Sequence, residues 1–194
     1  MEKSYVVEIL RTLEAEEQRD FGRWLASPFF NTRQDVVRLY NYLTQGQHLW
    51  DAKYLDKGRV FRRVFRGEAY QDAKLRQAVH FLGKQLEAFL AYEQVADERY
   101  AFDLAYLKSL RRRKLGKVFQ KKVNALNREG LPGMGQDSRG LRNAFMMYDE
   151  IYTFKLNANL ATEEHLQQTV DMFDTQFIAD KLKYACLELS HNKV

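Results

Sequence analysis

The side chains that could do chemistry in this sequence are mainly basic, and the first group of them is a row of arginines. Four arginines occur at i, i+3, i+4 and i+7, which is one face of a helix: Arg59, Arg62, Arg63 and Arg66. The residues between them that should point inward are apolar: Val60, Phe61, Val64 and Phe65. Guanidinium groups at this spacing can pair with the phosphates of a polyanion and release its counterions. An ordinary solvated helix face has the same pattern, so both interpretations stay open.

A second basic group lies between Leu104 and Arg128, where nine basic residues occur without an acidic one. The candidate contacts to a polyanion or partner here are Arg111, Arg112, Arg113, Lys114, Lys117 and Lys121. A helix is predicted after Leu115, with Leu115, Val118, Phe119, Val123 and Leu126 on one face and Lys114, Lys117, Lys121 and Arg128 on the opposite face. Basic residues are also favoured at a helix C-terminus by the helix dipole, which is the structural alternative.

The remaining chemistry-bearing residues give no catalytic pattern. The four histidines are far apart and form no HExxH motif, and the single cysteine cannot build a thiolate zinc site. The glycines from Gly130 to Gly140 lack the Gly-Lys-Ser/Thr ending of a phosphate-binding loop. Cys186 is predicted to be a small buried thiol, and His80 a residue at the core boundary. We therefore expect no catalytic residue, no metal site, no cofactor and no enzyme activity.

Aromatic residues are unusually frequent in the first fifty positions. Among them are Phe21, Trp24, Phe29, Phe30, Tyr40, Tyr42 and Trp50. Aromatic side chains serve both in cores and in binding grooves, so this region is a candidate contact surface as well as a candidate core.

The elements that must position these residues are predicted to be helices. Apolar residues from Leu75 to Leu90 follow helical spacing and predict a helix from about Asp72 to Gln94. Two short helices should precede Phe29, because the residue before Pro28 is disfavoured in a helix. The spacing of Asn31 to Gln34 is that of a capping box, which predicts a helix start there. With two prolines, ten glycines and no strand-like alternation of useful length, the chain should be all-α, with about eight to ten helices.

These helices are expected to pack as antiparallel helical hairpins, in a multi-helix bundle or a short solenoid. We predict a single all-helical domain over residues 1–194. The loop at 130–138 concentrates glycine and proline, so it is the candidate boundary between a helical subdomain at 1–129 and another at 139–194.

Three short segments carry a resemblance to a known family. They are Ser27-Pro28-Phe29-Phe30-Asn31, then Arg59-Val60-Phe61-Arg62-Arg63-Val64-Phe65, and Lys181-Leu182-Lys183-Tyr184-Ala185-Cys186. Together they resemble landmarks of an uncharacterised bacterial family of longer, all-helical proteins. The resemblance implies the N-terminal part of a larger helical-repeat protein, and it carries no activity over to this chain.

The sequence thus predicts a non-catalytic module for protein–protein interaction or scaffolding, with a protein partner. The alternative is a nucleic-acid-associated protein that clamps phosphate backbones non-specifically with the regions Arg59 to Arg66 and Arg111 to Lys122. No apolar run approaches the roughly 18 residues of a membrane-spanning helix, and the single cysteine suits a reducing compartment. We therefore expect a cytoplasmic location and no transmembrane segment.

Overall fold

The computed structural model describes residues 1–130 and 137–191, and within them it confirms the all-α prediction. This part of the chain forms nine α-helices and one short 3-10 helix at Ala52–Tyr54, without a strand. The first five α-helices are α1 (Tyr5–Thr12), α2 (Ala15–Ala26), α3 (Gln34–Leu43), α4 (Lys57–Val64) and α5 (Asp72–Asp97). The other four are α6 (Arg99–Arg112), α7 (Gly116–Glu129), α8 (Ser138–Asn157) and α9 (Glu163–His191).

The chain divides into two compact units, Met1–Gln94 and Val95–Val194. This division falls near the end of α5. The boundary predicted in the loop at 130–138 stays a prediction, since residues 131–136 lie outside those described.

The first unit is built on the helix that the apolar spacing predicts most directly. In α5 the residues Leu75, Ala78, Leu82, Leu86 and Phe89 are buried, as expected for its apolar face. They join one core with residues of α1 to α4, among them Phe21, Leu39 and Phe61. Val60, Phe61 and Val64 of α4 and Phe65 just after its end are buried there, so these residues face inward as predicted. The arginines of α4 face outward.

The predicted capping box at Asn31 to Gln34 is wrong. Helix α3 begins at Gln34, and its N-cap residue is Arg33, whose side chain makes no capping hydrogen bond. The side-chain amide of Asn31 instead donates to the Leu25 carbonyl and stabilises the turn after α2. Its hydrogen bond therefore serves the end of α2 and not the start of α3. A capping box does occur at the start of α2, where the Glu14 amide donates to the Glu17 carboxylate at 2.6 Å.

The second unit has its own core, formed by α6, α7 and α8. Phe119 of α7 stacks on Phe154 of α8 with their ring centroids 3.9 Å apart. Helix α9 packs antiparallel along α8, because Lys155 near the end of α8 meets His165 near the start of α9, while Ser138 at the start of α8 meets Asp180. Only Thr169 of α9 is buried.

Candidate functional site

The arginine row of α4 lines a cavity in the first unit. This arginine cavity has a volume of about 440 Å³ and is lined by Arg38, Asn41, Tyr42, Gln45, His48, Tyr54, Arg59, Arg63 and Arg66. Three of these arginines belong to the predicted row, whereas the fourth, Arg62, does not line the cavity. Arg59 and Arg63 lie on α4, but Arg66 lies in the turn after it, because the helix ends at Val64 and not at the end of the row. No carboxylate is among the described residues that line it.

The far wall of the arginine cavity comes from α3, and sequence reasoning missed it. Four of the lining residues have helical spacing (i, i+3, i+4 and i+7), which places them on one face of α3 and of the turn after it. They are Arg38, Asn41, Tyr42 and Gln45. That spacing is the signal that could have found them. What the spacing does not show is that α3 packs against α4 and brings the two polar faces together.

Aromatic rings form the floor of the arginine cavity. The ring of His48 stacks on Tyr54 at 4.0 Å and lies 4.6 Å from Tyr42. Nδ1 of His48 is 2.6 Å from the Tyr42 carbonyl, which only accepts, so this nitrogen carries the proton. Burial raises the pKa of the Tyr42 phenol even though the nearby positive charges of Arg59 and Arg63 act against the rise. That phenol donates to the Tyr54 carbonyl at 2.9 Å.

In the second basic group, two side chains have a structural role. Arg111 forms a bidentate pair with Glu150, with Nε 2.6 Å from Oε1 and Nη2 3.1 Å from Oε2. This pair ties α6 to α8, and Glu150 is only 4% exposed. Lys122 of α7 similarly pairs with the buried Asp103 of α6 at 2.6 Å. Arg111 is one of the candidate contacts, and its guanidinium pairs with a buried carboxylate 39 residues away in the sequence.

The other candidate basic residues of the second unit are exposed: Arg112, Arg113, Lys114, Lys117 and Lys121. The Arg113 guanidinium donates to its neighbour Ser109, and no carboxylate partner of these five occurs in the described part of the chain. The predicted apolar face of α7 is confirmed for Phe119, Val123 and Leu126 but is wrong for two residues. Leu115 and Val118 are exposed, because Leu115 precedes the first helical residue and Val118 lies a quarter-turn away from the buried line.

Helix α9 exposes apolar side chains along most of its length. One line of them, the α9 stripe, consists of Leu166, Val170, Phe173, Phe177, Tyr184 and Leu187, each between 42% and 59% exposed. Successive positions of this line are alternately four and three residues apart, and the one position that is not apolar is Asp180. The Phe173 ring lies 5.2 Å from Phe145 of α8, so the stripe borders the α8–α9 contact. Ile178, Leu182 and Leu189 are also exposed on this helix.

Polar groups hold α8 and α9 together at both ends of their contact. At one end Asp180 accepts hydrogen bonds from Ser138, Arg142 and Gln176, which lower its pKa to about 2. At the other end the Thr162 amide donates to Nδ1 of His165, and Nε2 of the same ring faces the Lys155 amine. Burial lowers the pKa of Lys155.

Two further expectations about single residues need correction. Cys186 was predicted to be buried, but it is exposed on α9, because that helix packs against α8 by one face and extends past it. His80 was predicted at the core boundary, yet it is exposed on α5 beside Phe81.

The aromatic residues of the first fifty positions divide between core and surface. Phe21, Tyr40 and Tyr42 are buried. Phe29 and Trp50 are exposed, while Phe30 is partly covered by stacking on Trp24 at 3.6 Å. The exposed Phe29 ring lies against Phe30 with the ring centroids 5.0 Å apart, so it extends this aromatic stack on the surface of the first unit.

Searches for other kinds of site gave negative findings. Among residues 1–130 and 137–191, no three His, Cys, Asp or Glu side chains come together as a metal would require. In the same residues, no helix combines the length and the apolar content needed to cross a membrane. Comparisons with protein-family models, with curated proteins and with solved structures found no match. The resemblance to a bacterial family of longer helical proteins therefore stays a prediction.

Proposed function

We propose that this protein is a non-catalytic interaction module whose partner packs an amphipathic helix against the α9 stripe. The observation that carries the proposal is the exposure of six large apolar side chains in one line on a single helix. Contiguous apolar surface of this kind marks interaction sites in folded proteins. The neighbouring helix α8 covers only one face of α9. Thr169 is accordingly the only buried residue of Glu163–His191.

The spacing of the α9 stripe supports a helix as the occupant. Intervals of four and three residues keep side chains in line along a helix that packs against a second helix at a shallow angle. Asp174 on the same helix is exposed and lies outside this apolar line, so a partner helix that covers the stripe need not contact it.

Site-specific photocrosslinking tests this proposal. A photoreactive phenylalanine analogue replaces Phe177 in the stripe or, as the matched control, Asp174 on the same helix, and the chain of 194 residues is irradiated inside bacterial cells. The crosslinked partner is then purified, and its affinity is measured for the native chain and for Phe177→Glu.

The proposal requires a crosslink from position 177 to an apolar residue of a predicted helix in the partner. It also requires Phe177→Glu to weaken binding by about a hundredfold, the size of effect seen for a central aromatic contact. Crosslinks that are equally strong from position 174, or a partner that binds Phe177→Glu as tightly as the native chain, would refute it.

A second candidate function is the non-specific binding of phosphate backbones, favoured by exposed basic residues that have no carboxylate partner within residues 1–130 and 137–191. Fluorescence anisotropy of labelled single- and double-stranded nucleic acid tests it at low and near-physiological salt. Binding should weaken steeply with salt and disappear when Arg62, Arg63, Lys117 and Lys121 are reversed in charge. Equal binding by that variant would exclude this function. The single cysteine supports the further proposal that either function operates in a reducing cytoplasm.

A further inference from the structure

Helix docking at α9 does not involve the arginine cavity, and the binding of an extended phosphate backbone does not use the whole of it. Four guanidinium groups face one space of about 440 Å³, and they come from two parts of the chain more than twenty residues apart. We propose that the arginine cavity binds a small ligand that carries two or more linked phosphate groups.

The charge of the cavity lining favours an anion. Arg38, Arg63 and Arg66 form no ion pair within the described part of the chain. The Arg59 guanidinium donates to the Lys53 carbonyl at 3.3 Å and lies over the Tyr54 ring at 5.2 Å. Four like charges around one cavity repel each other, and a bound anion of comparable charge removes this repulsion.

The chemistry of the donors favours phosphate. The guanidinium group presents a planar fork of N–H donors that matches the oxygens of phosphate in bidentate geometry. Asn41 and Gln45 add amide N–H donors to the same lining. A chain of two or three phosphates offers oxygens to several guanidinium groups at once, which a single monovalent anion does not.

The shape of the cavity favours a small ligand over a long strand. Its volume lies within the range of about 300 to 1,000 Å³ that is usual for small-molecule sites. The aromatic floor is already ordered, since His48, Tyr42 and Tyr54 contact one another and the Tyr42 phenol is held by the Tyr54 carbonyl. Binding would therefore need only the ordering of the arginine side chains.

Isothermal titration calorimetry with inorganic tripolyphosphate tests the proposal on the full chain. The variants Arg63→Gln and Arg66→Gln each remove one lining guanidinium. The matched control is Arg62→Gln, which removes the same charge from α4 outside the cavity. Circular dichroism checks that each exposed substitution leaves the helical content unchanged. A parallel titration uses a single-stranded oligonucleotide, followed by competition with tripolyphosphate.

We expect one tripolyphosphate per chain, with affinity about tenfold weaker in Arg63→Gln and in Arg66→Gln and changed by less than about twofold in Arg62→Gln. Absence of binding, or equal weakening in all three variants, would overturn the proposal because it would leave only diffuse surface charge. Binding of the oligonucleotide that tripolyphosphate does not displace would likewise overturn it and favour an extended backbone. None of these results depends on the partner of α9, so this test and the photocrosslinking test fail independently.

Discussion

Replacing Arg111 by methionine tests whether its guanidinium serves the fold and not a polyanion. In the native chain this guanidinium spans two atoms of the Glu150 carboxylate, at 2.6 and 3.1 Å. Methionine keeps most of the apolar stem but removes the charge and both hydrogen bonds. The Glu150 carboxylate, 4% exposed, is then left without its cation between α6 and α8.

The magnitude follows from the burial of the pair. Removing one partner of a buried ion pair costs about 3 to 5 kcal/mol, because the remaining charge is uncompensated. The Arg111 side chain is itself 26% exposed, so water can reach part of the vacated space, and we expect about 3 kcal/mol. Its neighbour Arg112 is exposed and has no carboxylate partner among the described residues, so Arg112→Met should cost less than about 0.5 kcal/mol.

Urea denaturation at pH 7, followed by circular dichroism, measures these differences in the free energy of unfolding. The double variant Arg111→Met/Glu150→Leu completes the comparison, since replacing both partners by apolar residues removes the unpaired charge and should recover most of the loss. A cost for Arg111→Met no larger than that for Arg112→Met would refute the reasoning. So would a double variant that is less stable than Arg111→Met alone.

Four other variants test separate parts of the structure by urea denaturation, the last of them over a range of pH. Leu82→Ala should cost about 2 to 5 kcal/mol, because it leaves a cavity in the core of the first unit, and a loss below 1 kcal/mol would contradict that burial. Reversing the charge of the exposed Lys117 and Lys121 together should change stability by less than about 0.5 kcal/mol, whereas a loss of several kcal/mol would show that their face of α7 is buried. Lys114→Gly should stabilise by about 0.5 to 1 kcal/mol, because Lys114 has a φ of 57° after the end of α6, and destabilisation would contradict this geometry. Asp180 has its pKa lowered to about 2, so its contribution to the free energy of unfolding is present above pH 4 and lost as the pH falls towards 2. The difference in stability between the native chain and Asp180→Asn should therefore vanish over that pH range, and a constant difference would contradict the hydrogen bonds to Asp180.

The helices of this protein were predictable because their apolar residues repeat locally. The buried faces of α4 and α5 follow from spacing alone, as Phe61 and Leu82 illustrate. Local patterns predicted the helix ends less reliably, because a polar side chain there can hydrogen-bond to any of several backbone groups. Asn31 has the right spacing for a cap but bonds to the preceding turn.

The candidate sites were less predictable because they depend on contacts between distant segments. The basic row of α4 is visible in the sequence, but the cavity exists only because α3 places Arg38 and Tyr42 opposite it. Arg111 has the same local surroundings as Arg112 in the sequence, and only the packing of α8 gives it Glu150 as a partner. The exposure of Cys186 similarly depends on how far α8 extends along α9.

The most direct test of the central claim is the reactivity of a thiol placed in the α9 stripe. Cys186 is first replaced by serine, and Phe177→Cys or, as a control, Asp174→Cys supplies the only thiol. The maleimide labelling rate of each variant is then compared between the purified folded protein and intact cells of the source organism. A surface that a partner covers about nine-tenths of the time should react about tenfold more slowly in cells at position 177 and little more slowly at position 174. Equal relative rates in cells and in the purified protein at position 177 would contradict the claim that a partner occupies the α9 stripe.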